Sequence, residues 1–230
     1  MKTILRLTPV PFLFSIIFLS CNTNNPSSGP LAAFLVVHTS PDAPNLDVYA
    51  GSSLIITDMA YSTNTTYFGA APNIYNFQFA GAATSNILLS DFINFDGGKG
   101  YSIFVIDSLS KLKLSIANDE FAAPSGDSVL LRFLHFSPNA GTLDLVINGG
   151  DTLYLNRSFN DNQVSSSLDD FIAIPSGTYI LDMRDAGTSN IAYSTTVNLT
   201  AGNVYTLYAK GFRGSGVPAT DLGLGIIQNN

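Results

Sequence analysis

The sequence predicts an all-β chain built from two tandem β-sandwiches. Three observations carry that reading. From Leu31 onward, apolar residues recur at every second position in most short segments, the period of a strand with one buried face. The acids are 16 Asp and a single Glu, Glu120, beside five Lys and five Arg, which leaves little to fill the exposed faces of helices. A ten-residue stretch, His38 to Asp47, returns as His135 to Asp144, and both copies read His-x-Ser-Pro-x-Ala-x-x-Leu-Asp without a gap. With 46% hydrophobic residues in 230, the chain has enough apolar material for two packed cores.

Before the repeats, residues 1–20 carry Lys2 and Arg6, then a mostly apolar run from Leu7 to Leu19 interrupted by Pro9 and Pro11. As a helix, that run would span about 20 Å, short of the roughly 30 Å hydrocarbon core of a bilayer. It reads as a signal peptide. Phe18-Leu19-Ser20-Cys21 resembles a bacterial lipobox, with Phe18 where that pattern usually has Leu. The resemblance implies cleavage before Cys21 and lipid on its sulfur. Two or three acyl chains, at about 0.8 kcal/mol per buried methylene, make a stable anchor. Residues 21–30 are then the lipidated cysteine and a polar, proline-containing tether. Cys21 is the only cysteine, so no intramolecular disulfide is available. A net charge of −7 with no basic cluster argues against nucleic acid as a partner.

The first repeat is expected over residues 31–119, a linker over 120–127 and the second repeat over 128–230. Phe34, Val36 and His38 share one strand face, matched by Leu131, Phe133 and His135. The other face carries Leu35, Val37 and Thr39, matched by Arg132, Leu134 and Phe136. Arg132 in the place of Leu35 predicts that this second face is partly open to solvent. After the motif, Leu46–Ala50 and Leu54–Thr57 form a hairpin around Gly51-Ser52, as Leu143–Ile147 and Leu153–Leu155 do around Asn148 to Asp151. Phe68 to Pro72 matches Phe171 to Pro175, and strands follow at Ile74–Phe79 and Tyr179–Met183. Gly98 to Val105 matches Gly202 to Ala209, and Leu112 to Ile116 matches Leu222 to Ile226. The second copy has extra length, much of it in Asn160 to Ser167. About seven short strands in each repeat is the pattern of an immunoglobulin-like β-sandwich domain.

Three groups of residues carry a resemblance to a family. They are Val36-Val-His38-x-Ser-Pro41-Asp-Ala43-Pro-x-Leu-Asp47-Val-Tyr49, the pairs Pro72 with Tyr75 and Pro175 with Tyr179, and Ala201-Gly-Asn-Val-Tyr205. Together they resemble the bacterial domain-of-unknown-function family 4397, over both halves from Ala33 to the end. The second copy departs from the motif at Asn139 and Gly141. The resemblance implies secreted or surface-anchored tandem domains and supplies no catalytic residues.

His38, Ser40 and Asp47 include the side-chain types of a hydrolytic triad. In an extended strand, however, residues i and i+2 project about 7 Å apart, too far for direct proton transfer from Ser to His. A zinc set of His38, Asp42 and Asp47 loses Asp42 to Asn139 in the second copy, and no third strong ligand recurs. Asn160-Asp161-Asn162 with Asp169-Asp170 lacks the regular spacing of a calcium loop. The expected role of His38, Ser40, Pro41 and Asp47, and of His135, Ser137, Pro138 and Asp144, is a folding corner. In it the His ring fills core space, and polar side chains satisfy the proline-fixed loop. No cofactor, metal or catalytic residue is expected.

The expected function is that of a non-catalytic, envelope-anchored lipoprotein acting in adhesion, scaffolding or ligand binding. The alternative is a carbohydrate-binding protein using exposed tyrosines (Tyr61, Tyr67, Tyr154, Tyr193) and loop residues, although the chain has no Trp. The loop carrying Asn160, Asp161, Asn162, Asp169 and Asp170 is the expected contact surface, because it differs most between the copies. Expected partners are the membrane, through lipid on Cys21, and an envelope protein or glycan. Asn22 after the cysteine favours the outer membrane, by resemblance to lipoprotein sorting rules.

Overall fold

The computed structural model describes residues 29–84 and 86–230. The signal segment, Cys21 and the tether up to Ser28 lie outside the described residues. The first half contains β1 (Ala32–His38), β2 (Leu46–Ala50), β3 (Ser53–Met59), β4 (Phe68–Ala70), β5 (Asn73–Gly81), β6 (Ile87–Phe95), β7 (Gly100–Ile106) and β8 (Lys113–Asn118). The second contains β9 (Ser128–His135), β10 (Leu143–Ile147), β11 (Thr152–Arg157), β12 (Ile172–Pro175), β13 (Gly177–Asp185), β14 (Ile191–Leu199), β15 (Val204–Lys210) and β16 (Gly223–Gln228).

Each half forms two four-stranded sheets. Their orders are β4-β1-β7-β8 with β3-β2-β5-β6, and β12-β9-β15-β16 with β11-β10-β13-β14. The second pair repeats the first strand for strand. Neighbours are antiparallel except β1 with β7 and β9 with β15, which run parallel. The fold is therefore all-β and sandwich-like, with a strand order different from that of an immunoglobulin constant domain. In an immunoglobulin constant domain the first strand lies beside the second. Here β1 sits between β4 and β7, and β2 belongs to the other sheet. Each half also has eight strands rather than about seven. Sequence patterning placed no strand on β6 or β14, the nine-residue strands at the free edges of the outer sheets.

In each half both sheets contribute to one core. The first is built by Phe34 and Val36 of β1, Val48 of β2, Phe77 and Phe79 of β5, Ile93 and Phe95 of β6, and Ile103 and Val105 of β7. Phe34 stacks on Phe95 with centroids 4.9 Å apart and meets Phe77 edge-on at 5.5 Å, both favourable ring geometries. The second core uses the matching positions, among them Leu131, Phe133, Leu145, Leu181, Met183 and Leu207. His38 and His135 lie on these core faces, both fully buried.

A third apolar cluster joins the halves. Leu35, Val37, Phe104, Ile106 and Ala117 pack against Leu134, Phe136, Tyr208 and Ile227. The two inner sheets thus lie back to back, and the expectation of a solvent-open face at Arg132 is overturned: its side chain is 0% exposed. Phe104 and Phe136 meet at 4.7 Å, and Tyr208 borders both rings. Tyr208 takes its place by lying across Gly225, where an added Cβ would fall 2.1 Å from Tyr208 Cζ. The ring is buried and has no room to retreat. Gly225→Ala should therefore lower stability by about 1–3 kcal/mol, the usual cost of overpacking, as read by urea unfolding of the full chain.

Candidate functional site

The repeated motif forms an equivalent corner in each half. At the end of β1, His38 lies beneath the proline-fixed loop, with Nε2 3.0 Å from Pro44 O. At the end of β9, His135 Nε2 lies 2.8 Å from Gly141 O, while its Nδ1 accepts from the Ser137 amide at 3.3 Å. That pair of bonds selects the neutral Nε2–H tautomer. Burial pushes the His135 pKa down to about 4, and it lowers that of His38 as well. Asp47 accepts from the backbone amides of Asp58 and Ala83, so its carboxylate ties β2 to the end of β3 and to the β5–β6 turn. Asp144 does the same with the amides of Asn156 and Gly187. Asp58 and Asn156 both sit at φ +52°, a conformation in which the amide faces the carboxylate instead of the ladder.

The serines differ. Ser137 Oγ donates to Gly211 O at 2.6 Å, whereas Ser40 Oγ and His38 Nδ1 are buried with no protein partner among the described residues. In neither half do His, Ser and Asp converge. The His Nε2–H is spent on a loop carbonyl, and both carboxylate oxygens are spent on amides. The change from Asp42 to Asn139 also has a physical account. Asp42 accepts from the Leu109 amide, and Asn139 Oδ1 accepts from the Arg213 amide, each at 2.7 Å. Both tie the motif loop to the connection between the last two strands of their half, and that bond needs only an acceptor oxygen. The pairs of the family pattern close similarly. Tyr75 donates to Ala71 O and Tyr179 to Pro175 O, while the Tyr101 and Tyr205 hydroxyls accept from the Asp96 and Thr200 amides.

The loop named as a contact surface packs several of its polar side chains against the first half of the chain, while residues 163–167 stay exposed. Of the five residues expected to make contact, Asp161, Asn162 and Asp169 are buried, Asn160 is half-buried and only Asp170 is exposed. Asn162 exchanges hydrogen bonds with Ser115 Oγ, Gln163 donates to Ile116 O, and Asp169 accepts from the Asn118 amide at 2.9 Å. Asp161 pairs with the buried Arg157. Burial raises the pKa of Asp169, against the opposing charge of Arg132 at 3.9 Å.

Arg132 is the hub that sequence reasoning missed. Its Nε donates to Thr206 Oγ1 and its Nη1 to Asn118 O, each at 2.8 Å, and its Nη2 pairs with Asp119. The guanidinium also lies 4.6 Å over the Phe171 ring, which itself packs against Phe121 of the 120–127 joint. Asp119 Oδ2 accepts from Tyr67 and Ser102, and Asn229 reaches Tyr67, Ser102 and Thr206. The available signal was the small polar set on the outer phase of β7 and β15, Ser102 and Thr206, where an exposed face would not need such matching.

The four tyrosines proposed as a sugar platform are scattered. Tyr61 faces the His38 ring with the Lys210 ammonium 5.1 Å above it. Tyr67 donates into the seam, Tyr154 donates to Leu131 O, and Tyr193 packs on the second core. Among the described residues no three His, Cys, Asp or Glu side chains are grouped to hold a metal ion.

This geometry defines a class of protein: an all-β, sandwich-like chain whose two halves share a strand order, with a repeated polar motif built into the loops. The profile described as Domain of unknown function (DUF4397) matches residues 32–146, half of the chain, and the chain belongs to that family. The match runs through the first half and ends within β10. No curated protein matches the sequence. Among solved structures, the Bacillus anthracis TIE protein is 12% identical with a TM-score of 0.24, over 79% of this chain and 34% of that one. The chain thus spans about a third of that protein's length. A streptococcal virulence factor, from a structure of alpha-glucan binding, is 8% identical with a TM-score of 0.26, over 84% of this chain and 96% of the other. At these scores neither likeness carries a functional argument.

Two predictions follow from the corner and the seam. Arg132→Leu copies the residue type at Leu35 but strands the buried Asp119 charge, and should cost about 3–5 kcal/mol. Adding Asp119→Asn, which copies Asn229, should recover more than half of that loss in equilibrium unfolding. For His135, the unfolded imidazole titrates near 6.5 and the folded one near 4. The unfolded state therefore binds more protons between these values. The His135 contribution is whole above pH 6.5 and is lost as pH falls towards 4, to a total of about 3 kcal/mol. Thermal unfolding followed across that window should show a shallower slope for His135→Gln than for the wild type.

Proposed function

We propose that the chain is a lipid-anchored, non-catalytic module of the bacterial envelope, in which two copies of the DUF4397 domain act together as one adhesion, scaffold or ligand-binding body. The observation that carries this reading is the fate of the repeated motif. In both halves its His and Asp groups are committed to backbone atoms, which supports a structural role and leaves no acid–base set aimed at a substrate. The equivalence of β9–β16 to β1–β8, down to the backbone bonds of the motif His Nε2 and Asp groups, supports reading the second half as another copy. Lys2 and Arg6, the apolar run and Ser20-Cys21 support lipid attachment at Cys21, and the first strand starts only at Ala32. Asn22 supports an outer-membrane address.

The anchor is tested by growing producing cells with a radiolabelled fatty acid. The full chain should take up label and sediment with membranes, and Cys21→Ser should abolish both. Label retained by Cys21→Ser, or a wild-type protein free in the soluble fraction, would remove the anchor from the proposal.

A further inference from the structure

We infer that the outer face of the β3-β2-β5-β6 sheet is a binding site for a neutral polysaccharide. This names the ligand class of the binding module proposed above and rests on that reading. The face is the side of the sheet opposite the first core. Val48, Phe77, Phe79, Ile93 and Phe95 point inward, so strand alternation sends Tyr49, Asn76, Gln78, Ser90, Phe92 and Asn94 outward.

Three features point to sugar. The first is aromatic surface left in water. Phe92 is 69% exposed at the middle of an edge strand, and Tyr49, half-buried, lies two strands away. The register sets Phe92 opposite Asn76 and Tyr49 opposite Gln78. The two rings are then separated by two strand spacings and one two-residue step, about 12 Å. A short oligosaccharide, rather than a single ring, bridges such a span. The second feature is a row of uncharged amides between them. Ser90 Oγ donates to Asn76 Oδ1 at 2.9 Å, which leaves the Asn76 amide hydrogens unpaired among the described residues. The Gln78 amide and the Tyr49 hydroxyl likewise have no protein partner there. An amide both donates and accepts, which suits the paired hydroxyls of a sugar, while the rings offer π-faces to its C–H groups.

The third feature is charge. These six positions carry none, and Asp47 at the end of the face is occupied by two amides. A partner with anionic groups would find no cation on these positions, and the net charge of −7 disfavours acidic glycans.

The duplicated half is an internal comparison. At the matching positions β10, β13 and β14 carry Val146, Ile180, Asp182 and Thr196. Asp182 is fully buried and bonded to Asn148, Ser194 and Arg184. The same scaffold has there consumed its polar groups internally and has no ring at the Phe92 position. The sugar-binding chemistry belongs to the first half alone.

The test is an oligosaccharide array probed with the full chain in detergent, with neutral hexose oligomers and uronic-acid or sialylated oligomers side by side. Neutral oligomers of four or more units should bind, and acidic ones should not. Phe92→Ala and Tyr49→Ala should each weaken binding at least tenfold, Phe92→Ala without lowering Tm because its ring faces solvent, and Thr196→Ala on the other outer sheet should leave it unchanged. An absence of binding to neutral oligomers, equal binding of acidic ones, or binding that survives Phe92→Ala with Tyr49→Ala would overturn the inference. Fatty-acid labelling at Cys21 is independent of this face, so the anchored-module reading and the glycan inference fail separately.

Discussion

The back-to-back seam of the inner sheets is the constraint on which the molecule depends. A sheet with an apolar outer face must cover it, and each half uses the other for this purpose. The contact is close to isologous, like the interface of a two-fold dimer. Phe104 faces the second half as Tyr208 faces the first, Ser102 corresponds to Thr206, and Asp119 corresponds to Asn229. The symmetry is broken at Leu35 and Arg132, at Asp119 and Asn229, and by the Asn160 to Asp170 loop. A buried guanidinium is costly unless every donor is used and a carboxylate is at hand. Arg132 places four hydrogen bonds, on Thr206 Oγ1 of its own half and on Ser102 Oγ, Asn118 O and Asp119 of the other, over the Phe171 ring. The arrangement contributes little net stability over an apolar seam. It does allow one register of the two sheets, because any slip would strand the charge.

The corners obey the same accounting at smaller scale. A β-sandwich half with a seven-residue loop between its first two strands must satisfy that loop's backbone where water is excluded. The His ring reaches the loop carbonyl from below, the terminal Asp holds two amides on neighbouring turns, and the Asp or Asn in between ties the loop to the far connection. Each bond asks for a donor or an acceptor, not for a charge. That is why Asn139 replaces Asp42 without loss, and why a neutral imidazole serves at both corners.

How much of this was legible in the residues depends on whether the cause was local. Period-two patterning places Phe34, Val36 and His38 on a core face because burial alternates along a strand. The matched motifs place the second half because equivalent corners need equivalent residues. Strand order was beyond reach: alternation says which face is buried, not which strand lies alongside, so β1 beside β7 could not be read. Strands β6 and β14 were missed because each is an edge, with one flank unpaired and polar residues such as Asp91 on its inward phase. Arg132 was misread because a charge normally marks an exposed face, and its five-donor fork found partners on segments remote in sequence. The seam contacts of the Asn160 to Asp170 loop were not legible for a related reason. It is the largest difference between the halves, but it differs in order to seal their asymmetric seam.

Differences between the two halves therefore have to be sorted by what each does in the structure. The changes at Arg132 and in the Asn160 loop are answered by partners across the seam and are accounted for by assembly. The changes at Asn139 and Gly141 keep the bonds of the corner and are accounted for by tolerance. The outer sheets differ in another way. One has turned its polar groups inward around Asp182, while the other leaves Phe92, Tyr49 and a set of amides facing water. Nothing in the packing of the first half requires an exposed ring at Phe92, and an unblunted apolar edge is a liability for a soluble sheet. A feature that costs solubility and contributes nothing to the fold is where a binding role is most economically placed.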